Sequence, residues 1–246
     1  MTWLEKCKHW KKIWNTNQNI NATDSIDLYD FVLTLNQWIR ELDTIVVDAG
    51  STGYVTGQAL KLKSTNRYIC SGGQLDMGFG LPAAIGACLG KNSINYNERT
   101  ILIVGDGGFQ SNIQELAVIK YLNLPIKIFV WNNNGYLSIR NTQQKFFKGN
   151  LLGCDRQHGL WIPPLKEIAK AYHIPYTKLK KLDQRNHYGK LLFPYILEAP
   201  NPSITEIICS EKQEIIPTAT MKDSQSMPLS QMAPFLSQEE YEKEHY

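Results

Sequence analysis

Short apolar runs alternate with helically spaced apolar residues along most of this chain. Four runs are rich in β-branched residues and predict strands; they lie at 44–47, 101–104, 126–131 and 204–209. Helices are predicted at 28–42, 71–90, 112–122 and 163–172, with a weaker one at 187–192. Strands that alternate with helices predict an α/β fold, with a doubly wound, mainly parallel sheet and helices on both faces.

The amino-terminal residues show a different pattern. Trp3, Cys7, Trp10 and Trp14 recur at helical intervals and predict a basic, amphipathic opening helix, which a polar linker at 15–19 follows. Such a helix is typical of docking on the same protein or on a neighbouring domain. A membrane surface is the less favoured alternative.

The regular pattern also fades towards the carboxyl terminus. Residues 211–246 are polar and end in acidic residues, which predicts a tail that Met232, Phe235 and Leu236 could anchor. The predicted organisation is a helix and linker at 1–23, one domain at 24–210 and this tail. Asp24 or Ser25 is the predicted cap of the helix that precedes the first strand.

Composition supports one globular domain and excludes several partners. The chain has 246 residues, 43% of them hydrophobic, and 26 basic residues against 23 acidic ones, which argues against a nucleic-acid partner. Five scattered cysteines without a CxxC pair indicate reduced cytoplasmic thiols and no zinc site. The charged beginning and the lack of about 18 consecutive apolar residues predict neither a signal peptide nor a membrane span.

Two glycine-containing polar segments follow two consecutive predicted strands. Gly-Asp-Gly-Gly at 105–108 follows the first, and Asn-Asn-Asn-Gly at 132–135 follows the second. The carboxyl ends of parallel strands share one edge of a sheet, so the two segments should meet there. Glycines let backbone N–H groups approach a phosphate, and the N-terminus of a following helix favours an anion. A phosphate site is therefore predicted.

Asp106 would repel a bare diphosphate, and a divalent cation between the two resolves that conflict. Mg²⁺ prefers about six hard oxygen ligands, shared among protein, phosphate and water. Asp106 offers a carboxylate, Asn133 an amide oxygen and Gly135 a main-chain carbonyl. The separation of 27 residues between Asp106 and Asn133 matches one strand–helix–strand crossover.

Each segment alone also has an ordinary explanation. Gly-Asp-Gly-Gly could form a turn, and Asn134-Gly135 favours a hairpin. A hairpin would need a second strand directly after it, whereas residues 136–143 lack clean alternation. The two segments together therefore favour a ligand site.

These segments resemble the diphosphate motif of thiamine diphosphate enzymes, in which Gly-Asp-Gly is followed one crossover later by Asn-Asn. Residues 105–136 resemble the acetolactate synthase group especially, and the similarity covers nearly the whole chain. Residues 134–143, NGYLSIRNTQ, look more like relatives from surface-polysaccharide gene clusters. The resemblance identifies the chain as the C-terminal, diphosphate-binding domain of such an enzyme, with a doubly wound fold.

The resemblance also implies roles for individual residues. Asp106, Asn133 and the Gly135 carbonyl would hold Mg²⁺, while Met77 would support the bent form of the coenzyme. Gly107 and Gly108 would donate N–H groups to the diphosphate. The implied cofactor-binding residues are Gly50, Ser51, Met77, Gly105, Asp106, Gly107, Gly108, Asn133, Gly135 and Tyr136.

The chain departs from the acetolactate synthase pattern in three respects. Leu75 replaces a usual glycine close to the pyrimidine, and Thr142 replaces a tryptophan that meets the second substrate. Members of the family also carry a pyrimidine-binding domain whose glutamate activates the coenzyme. No such domain is recognised in these 246 residues, and another chain is expected to supply that domain. Glu115 lies inside a predicted helix and is interpreted as structural, so no catalytic residue is predicted here.

The leading hypothesis is a cytoplasmic, oligomeric lyase or transferase that uses thiamine diphosphate and Mg²⁺ on a 2-oxo acid. Without the pyrimidine-binding domain or subunit, the isolated chain is expected to be inactive. The alternative is a truncated, non-catalytic protein that binds thiamine diphosphate or acts as a scaffold. A nicotinamide dehydrogenase is disfavoured because no GxGxxG motif opens the first strand-to-helix turn.

Overall fold

The computed structural model describes residues 2–13, 25–90, 98–186, 191–216, 221–222, 225–226 and 238–245. The helices are α1 (Trp3–Ile13), α2 (Leu28–Asn36), α3 (Ser51–Ala59), α4 (Gly80–Leu89), α5 (Asp106–Ser111), α6 (Leu116–Tyr121), α7 (Leu137–Phe146), α8 (Leu165–Ala171), α9 (Leu192–Glu198) and α10 (Gln238–His245). The strands are β1 (Thr44–Val47), β2 (Arg67–Ile69), β3 (Thr100–Gly105), β4 (Ile126–Asn132), β5 (Tyr176–Leu179), β6 (Ser203–Ile208), β7 (Met221–Lys222) and β8 (Gln225–Ser226).

Six strands form one sheet in the order β2-β1-β3-β4-β6-β5, and every neighbouring pair is parallel. The predicted doubly wound α/β fold is therefore confirmed. Strand order reverses between β1 and β3, since the chain moves outward to β2 on one side and to β4 on the other. Ligands of such sheets bind beyond the strand carboxyl ends at this reversal.

Helices cover both faces of the sheet because its central strands are apolar on both sides. On one face, Leu102, Ile128 and Val130 pack in a core with residues of α4, α6 and α8. On the other face, Phe31 of α2 makes edge contacts at 5.3–5.5 Å with Phe129, Trp131 and Phe193. This aromatic cluster fixes the end of β4 from which the 132–135 segment leaves.

The predicted helix at 28–42 is shorter in the structure, and its predicted cap is wrong. Asp27 caps α2 by accepting hydrogen bonds from the N–H groups of Tyr29 and Asp30. Asp24 lies outside the described residues. The helix ends at Asn36. The side chain of Asn36 donates to the carbonyl oxygen of Ala59 and accepts the N–H of Lys61.

Two glycine-rich segments also differ from prediction. The helix predicted at 71–90 occupies only Gly80–Leu89, and residues 71–79 form turns in which Leu75 and Gly78 have positive φ. The segment at 48–53, for which no helix was predicted, contains the first residues of α3, which begins at Ser51. Positive φ interrupts a helix, and apolar composition alone does not reveal it.

The 105–108 segment is wound more tightly than predicted. Asp106 is the first residue of α5, with Gly105 as its cap, so the segment forms a helical turn rather than a loop. The helix predicted at 112–122 is divided into a 3₁₀ turn at Ile113–Glu115 and α6. Asn112, with φ of −138°, separates α5 from this 3₁₀ turn.

Strands β2 and β5 were not predicted, since each has only three or four residues with partly exposed positions. Strand β6 and helix α8 confirm the predictions at 204–209 and 163–172. The weak helix predicted at 187–192 falls partly outside the described residues, and α9 follows at Leu192. The tail anchors Met232, Phe235 and Leu236 also lie outside them.

Contacts divide the chain into two compact units, 1–18 with 214–246, and 19–213. In the first unit, α1 confirms the predicted opening helix as far as Ile13, and Trp14 and the linker lie outside the described residues. His9 and Trp10 of α1 bind the carboxylate of Glu244 in α10. No helix among the described residues is long and apolar enough to cross a membrane.

The aromatic cluster gives a direct test of this packing. Phe31 is fully buried between the β4 aromatics and α9, so Phe31→Ala should lower the free energy of unfolding by about 3–5 kcal/mol. Urea denaturation measures this change. Tyr121→Ala, at an 88% exposed position, is the control and should stay within about 0.5 kcal/mol of wild type. Equal, small effects of both substitutions would contradict the described core.

Candidate active site

Three chain segments meet at the carboxyl edge of the sheet beside the strand reversal. They follow β1, β3 and β4, and the last two strands are direct neighbours in which Gly105 pairs with Trp131. A hydrogen bond joins their ends, since the Gly135 N–H donates to Oδ2 of Asp106 at 3.0 Å. The two segments singled out by the sequence are therefore in contact.

Asp106 is a carboxylate almost removed from water, with 1% of its surface exposed. Its Oδ1 accepts the N–H of Gly107 at 2.9 Å, and its Oδ2 accepts the N–H of Gly135. Burial outweighs these hydrogen bonds and raises the pKa of Asp106 to about 7. A buried carboxylate of this kind is stabilised in its charged form by a cation.

Asn133 supplies the second oxygen that the sequence predicted. The residue is 3% exposed, and its buried Oδ1 has no hydrogen-bond partner within the described part of the chain. A buried acceptor left unpaired costs about 1–3 kcal/mol. A hard cation would satisfy this oxygen and the Asp106 carboxylate together, so the donor set fits Mg²⁺.

The 133–135 turn can be formed only with glycine at its last position. Gly135 has φ of +142°, and a Cβ there would lie 2.1 Å from the carbonyl oxygen of Cys154. Tyr136 donates its N–H to that same oxygen at 2.8 Å. After this turn the chain enters α7, so the alternative of a hairpin at Asn134-Gly135 is excluded.

Close approach also explains the glycines at 107 and 108. A Cβ on Gly107 would lie 2.2 Å from the ring of Tyr136 and 3.6 Å from Cε of Met77, so the three residues are neighbours. A Cβ on Gly108 would lie 3.0 Å from the carboxylate of Asp48. Met77 is 46% exposed and therefore faces the open side of the site.

The segment after β1 reaches the same edge. Gly50 caps α3 with φ of +70°, and Ser51 is buried in the first turn of that helix. A Cβ on Gly50 would lie 3.3 Å from Oγ of Ser138 in α7. The segments after β1 and β4 thus lie side by side.

Several residues that shape the site were not predicted to do so. Asp48 is buried, and its carboxylate accepts N–H groups of Gly78 and Gly80 at 3.1–3.4 Å, which holds the 78–80 segment against β1. Arg140 and Asn132 bind the 133–135 turn directly. An acidic residue directly after a β-branched strand was the available signal for Asp48.

The two departures from the family pattern also lie near this edge. Leu75 has φ of +55°, and its side chain approaches Gly53 of α3, where an added Cβ would lie 3.1 Å from it. Thr142 is exposed on α7 and borders an open cavity of about 290 Å³. The other lining residues are Ser138, Ile139, Gln143 and Phe147.

Cys154, Asp155 and His158 form a second cluster of possible metal ligands, with ligand atoms within 4.8 Å of one another. Nδ1 of His158 lies 2.6 Å from Oδ1 of Asp155, while Nε of Arg140 lies 3.5 Å from Oδ2. The guanidinium already supplies the positive charge that this carboxylate needs. Asp155 of this cluster is therefore already paired with Arg140 and hydrogen-bonded to His158.

The sequence of residues 48–199 matches the family described as "Thiamine pyrophosphate enzyme, C-terminal TPP binding domain". The matched range is more than half of the chain and contains the segments after β1, β3 and β4. The resemblance to the C-terminal domain of thiamine diphosphate enzymes is thereby confirmed. The predicted cofactor, thiamine diphosphate (thiamine pyrophosphate) with Mg²⁺, is the one that this family match implies.

The chain is also similar to acetolactate synthases. It is 32% identical over 177 residues to chloroplastic acetolactate synthase 2 of Zea mays, which covers 70% of this chain and 26% of that protein. It is 31% identical over 203 residues to the acetolactate synthase large subunit of Lactococcus lactis, covering 82% and 32% respectively. The chain thus spans between a quarter and a third of these relatives.

Burial of Asp106 predicts an unusual pH dependence of stability in the absence of coenzyme and metal. The folded protein keeps this proton up to about pH 7, whereas the unfolded chain loses it near pH 4, so stability falls as pH rises between these values. Relative to Asp106→Asn, wild type should lose about 4 kcal/mol of unfolding free energy between pH 4 and pH 8. Urea denaturation across that range measures the difference.

The matched control for this titration is Asp183→Asn, because Asp183 is an exposed carboxylate of the same unit. Its stability should run parallel to wild type over the whole pH range. If the curves of wild type and Asp106→Asn are also parallel, Asp106 does not titrate as its burial requires.

Proposed function

We propose that this chain, which belongs to the thiamine pyrophosphate enzymes as one of their C-terminal coenzyme-binding domains, holds the coenzyme diphosphate through Mg²⁺. The reactions that it serves in this proposal are those of 2-oxo acids. The observation that carries the proposal is the pair of buried oxygens at neighbouring strand ends. The Asp106 carboxylate is desolvated, and Oδ1 of Asn133 lacks a partner within the described residues.

In this proposal Asp106, Asn133 and the Gly135 carbonyl bind the metal. The carboxylate supplies negative charge and the other two supply neutral oxygens, which leaves further positions for phosphate oxygens and water. The N–H of Gly135 donates to Asp106, which supports the proposal because that bond keeps the turn beside the carboxylate. The ion compensates the charge that burial otherwise disfavours in Asp106.

The other family positions line the same edge and contact the coenzyme in this proposal. Gly107 and Gly108 are tightly packed by neighbouring side chains, so their N–H groups sit on a fixed backbone. The Gly107 N–H now donates to Asp106, and the bound diphosphate would take over that donor. The remaining proposed contacts are Gly50, Ser51, Met77, Gly105 and Tyr136.

The coenzyme, once bound, supplies the carbanion chemistry of a lyase or transferase, and this chain binds and orients it. Exposed Met77 beside Gly107 would support the bent coenzyme from one side. A pyrimidine-binding domain or subunit would supply the glutamate that activates the coenzyme; where a separate subunit supplies it, the working enzyme is an oligomer. The acetolactate synthases that the chain resembles motivate the choice of a 2-oxo acid as substrate. Five free thiols support a cytoplasmic location.

A non-catalytic role is the second candidate. Thr142 is exposed where acetolactate synthases usually have a tryptophan, and Leu75 turns towards α3 where they usually have glycine. These differences would permit coenzyme binding without the same second substrate. Activity with a complementing domain separates the two candidates.

Metal-dependent coenzyme binding tests the first part of the proposal. Equilibrium dialysis with thiamine diphosphate should give saturable binding that requires Mg²⁺. Asp106→Ala and Asn133→Ala should each weaken this binding by at least about 10-fold. Removal of a residue that only orients a metal ligand already lowers metal affinity by about that factor, and these two residues are proposed to be ligands themselves.

Asn150→Ala is the matched control, since Asn150 is an exposed asparagine in the loop after α7. It should bind like wild type. Binding that persists without any divalent metal, or full binding by Asp106→Ala, would overturn the metal assignment.

Catalysis should appear only when the coenzyme is activated. We expect the chain alone to release no CO₂ from pyruvate or another 2-oxo acid above background. Addition of a pyrimidine-binding domain from the same source should restore CO₂ release, and Asp106→Ala should abolish it. Coenzyme binding without CO₂ release in any such mixture would favour the non-catalytic role.

A further inference from the structure

A buried guanidinium lies directly beside the 133–135 turn. Arg140 in α7 is 4% exposed, and its Nη2 donates to the carbonyl oxygen of Asn134 at 3.2 Å. Both Nη atoms also lie 3.4 Å from the carbonyl oxygen of Asn133. One side chain therefore holds two consecutive carbonyls of the turn.

The same guanidinium is fixed by two other segments. Its Nη1 donates to the carbonyl oxygen of Glu211 at 2.9 Å, after β6. Its Nε lies 3.5 Å from Oδ2 of Asp155, and Asp155 is itself held by His158. Because Asp155 balances the positive charge, the guanidinium can lie close to a cation site without a full unpaired charge.

Asn132 and Glu206 hold the turn from the sheet side. Oδ1 of Asn132 accepts the N–H of Asn134 at 3.0 Å, and Nδ2 of Asn132 donates to Oε1 of Glu206 at 2.5 Å. The side chain of Asn134 donates to the carboxylate of Glu211. These bonds fix the main chain of the turn while leaving Oδ1 of Asn133 without a partner in the described part of the protein.

We propose that Arg140 is a positioning residue that holds Asn133 in the place from which its side-chain oxygen binds Mg²⁺. This inference rests on the proposed metal-dependent function. A planar guanidinium with five donors can reach two carbonyls of the turn, a third carbonyl and a carboxylate at once. A lysine ammonium has the charge but cannot hold all three carbonyls while it lies beside the carboxylate.

Arg140→Lys therefore separates geometry from charge in the full chain. The Mg²⁺ concentration that half-saturates thiamine diphosphate binding should rise about 10–100-fold, as for other residues that orient metal ligands. The same titration with Ca²⁺ should change less, because Mg²⁺ demands near-ideal octahedral geometry and Ca²⁺ tolerates irregular sites. The Mg²⁺/Ca²⁺ ratio thus reports positioning, which a general loss of stability would not alter.

Arg156→Lys is the matched control, because Arg156 is exposed in the 3₁₀ turn at Arg156–His158. It should leave both titrations unchanged. Thermal unfolding without metal gives the folded fraction of each variant, and binding is compared per folded molecule. Arg140→Gln, which removes the charge as well, should show at least the same loss.

Three results would overturn the inference. In the first, Arg140→Lys needs the same Mg²⁺ concentration as wild type. In the second, Mg²⁺ and Ca²⁺ requirements rise by equal factors, which indicates a structural role only. In the third, wild type shows no metal-dependent coenzyme binding; that result refutes the proposed function itself, and this inference falls with it.

Discussion

The burial of one carboxylate at the end of β3 is the constraint on which the site depends. Asp106 is nearly inaccessible to water, and the two N–H groups that it accepts do not offset the loss of hydration. The fold therefore contains a group whose charged form is stabilised by a cation. The unpaired amide oxygen of Asn133 at the neighbouring strand end points to the same requirement.

The neighbouring backbone is arranged to keep these oxygens close. Gly135 fits between Asp106 and the Cys154 carbonyl only because it lacks a Cβ, and Gly107 allows the Tyr136 ring to approach. Both close approaches hold the two segments, and with them Asp106 and Asn133, in fixed positions. Such preorganisation reduces the cost of assembling metal ligands during binding.

Much of the fold, and the contact between the two segments of the candidate metal site, could be predicted from sequence for one physical reason. Parallel strands buried on both faces read as apolar runs, and one crossover returns the chain to the same sheet edge, so the spacing of Asp106 and Asn133 carries three-dimensional information. The contacts of Arg140 with Glu211 and of Asp48 with Gly78 are not encoded in any residue spacing, because each joins a side chain to the backbone of a distant segment. Positive φ at Leu75 and the early end of α2 likewise depend on tertiary contacts.

Metal binding by Asp106 and Asn133 is measured most directly by a crystal structure of the chain with thiamine diphosphate and Mn²⁺ in place of Mg²⁺. We expect one anomalous peak at the carboxyl edge, within about 2.0–2.3 Å of a carboxylate oxygen of Asp106 and of Oδ1 of Asn133, with diphosphate oxygens completing the shell. A metal bound elsewhere, or diphosphate bound at this edge without metal contact to Asp106, would contradict it.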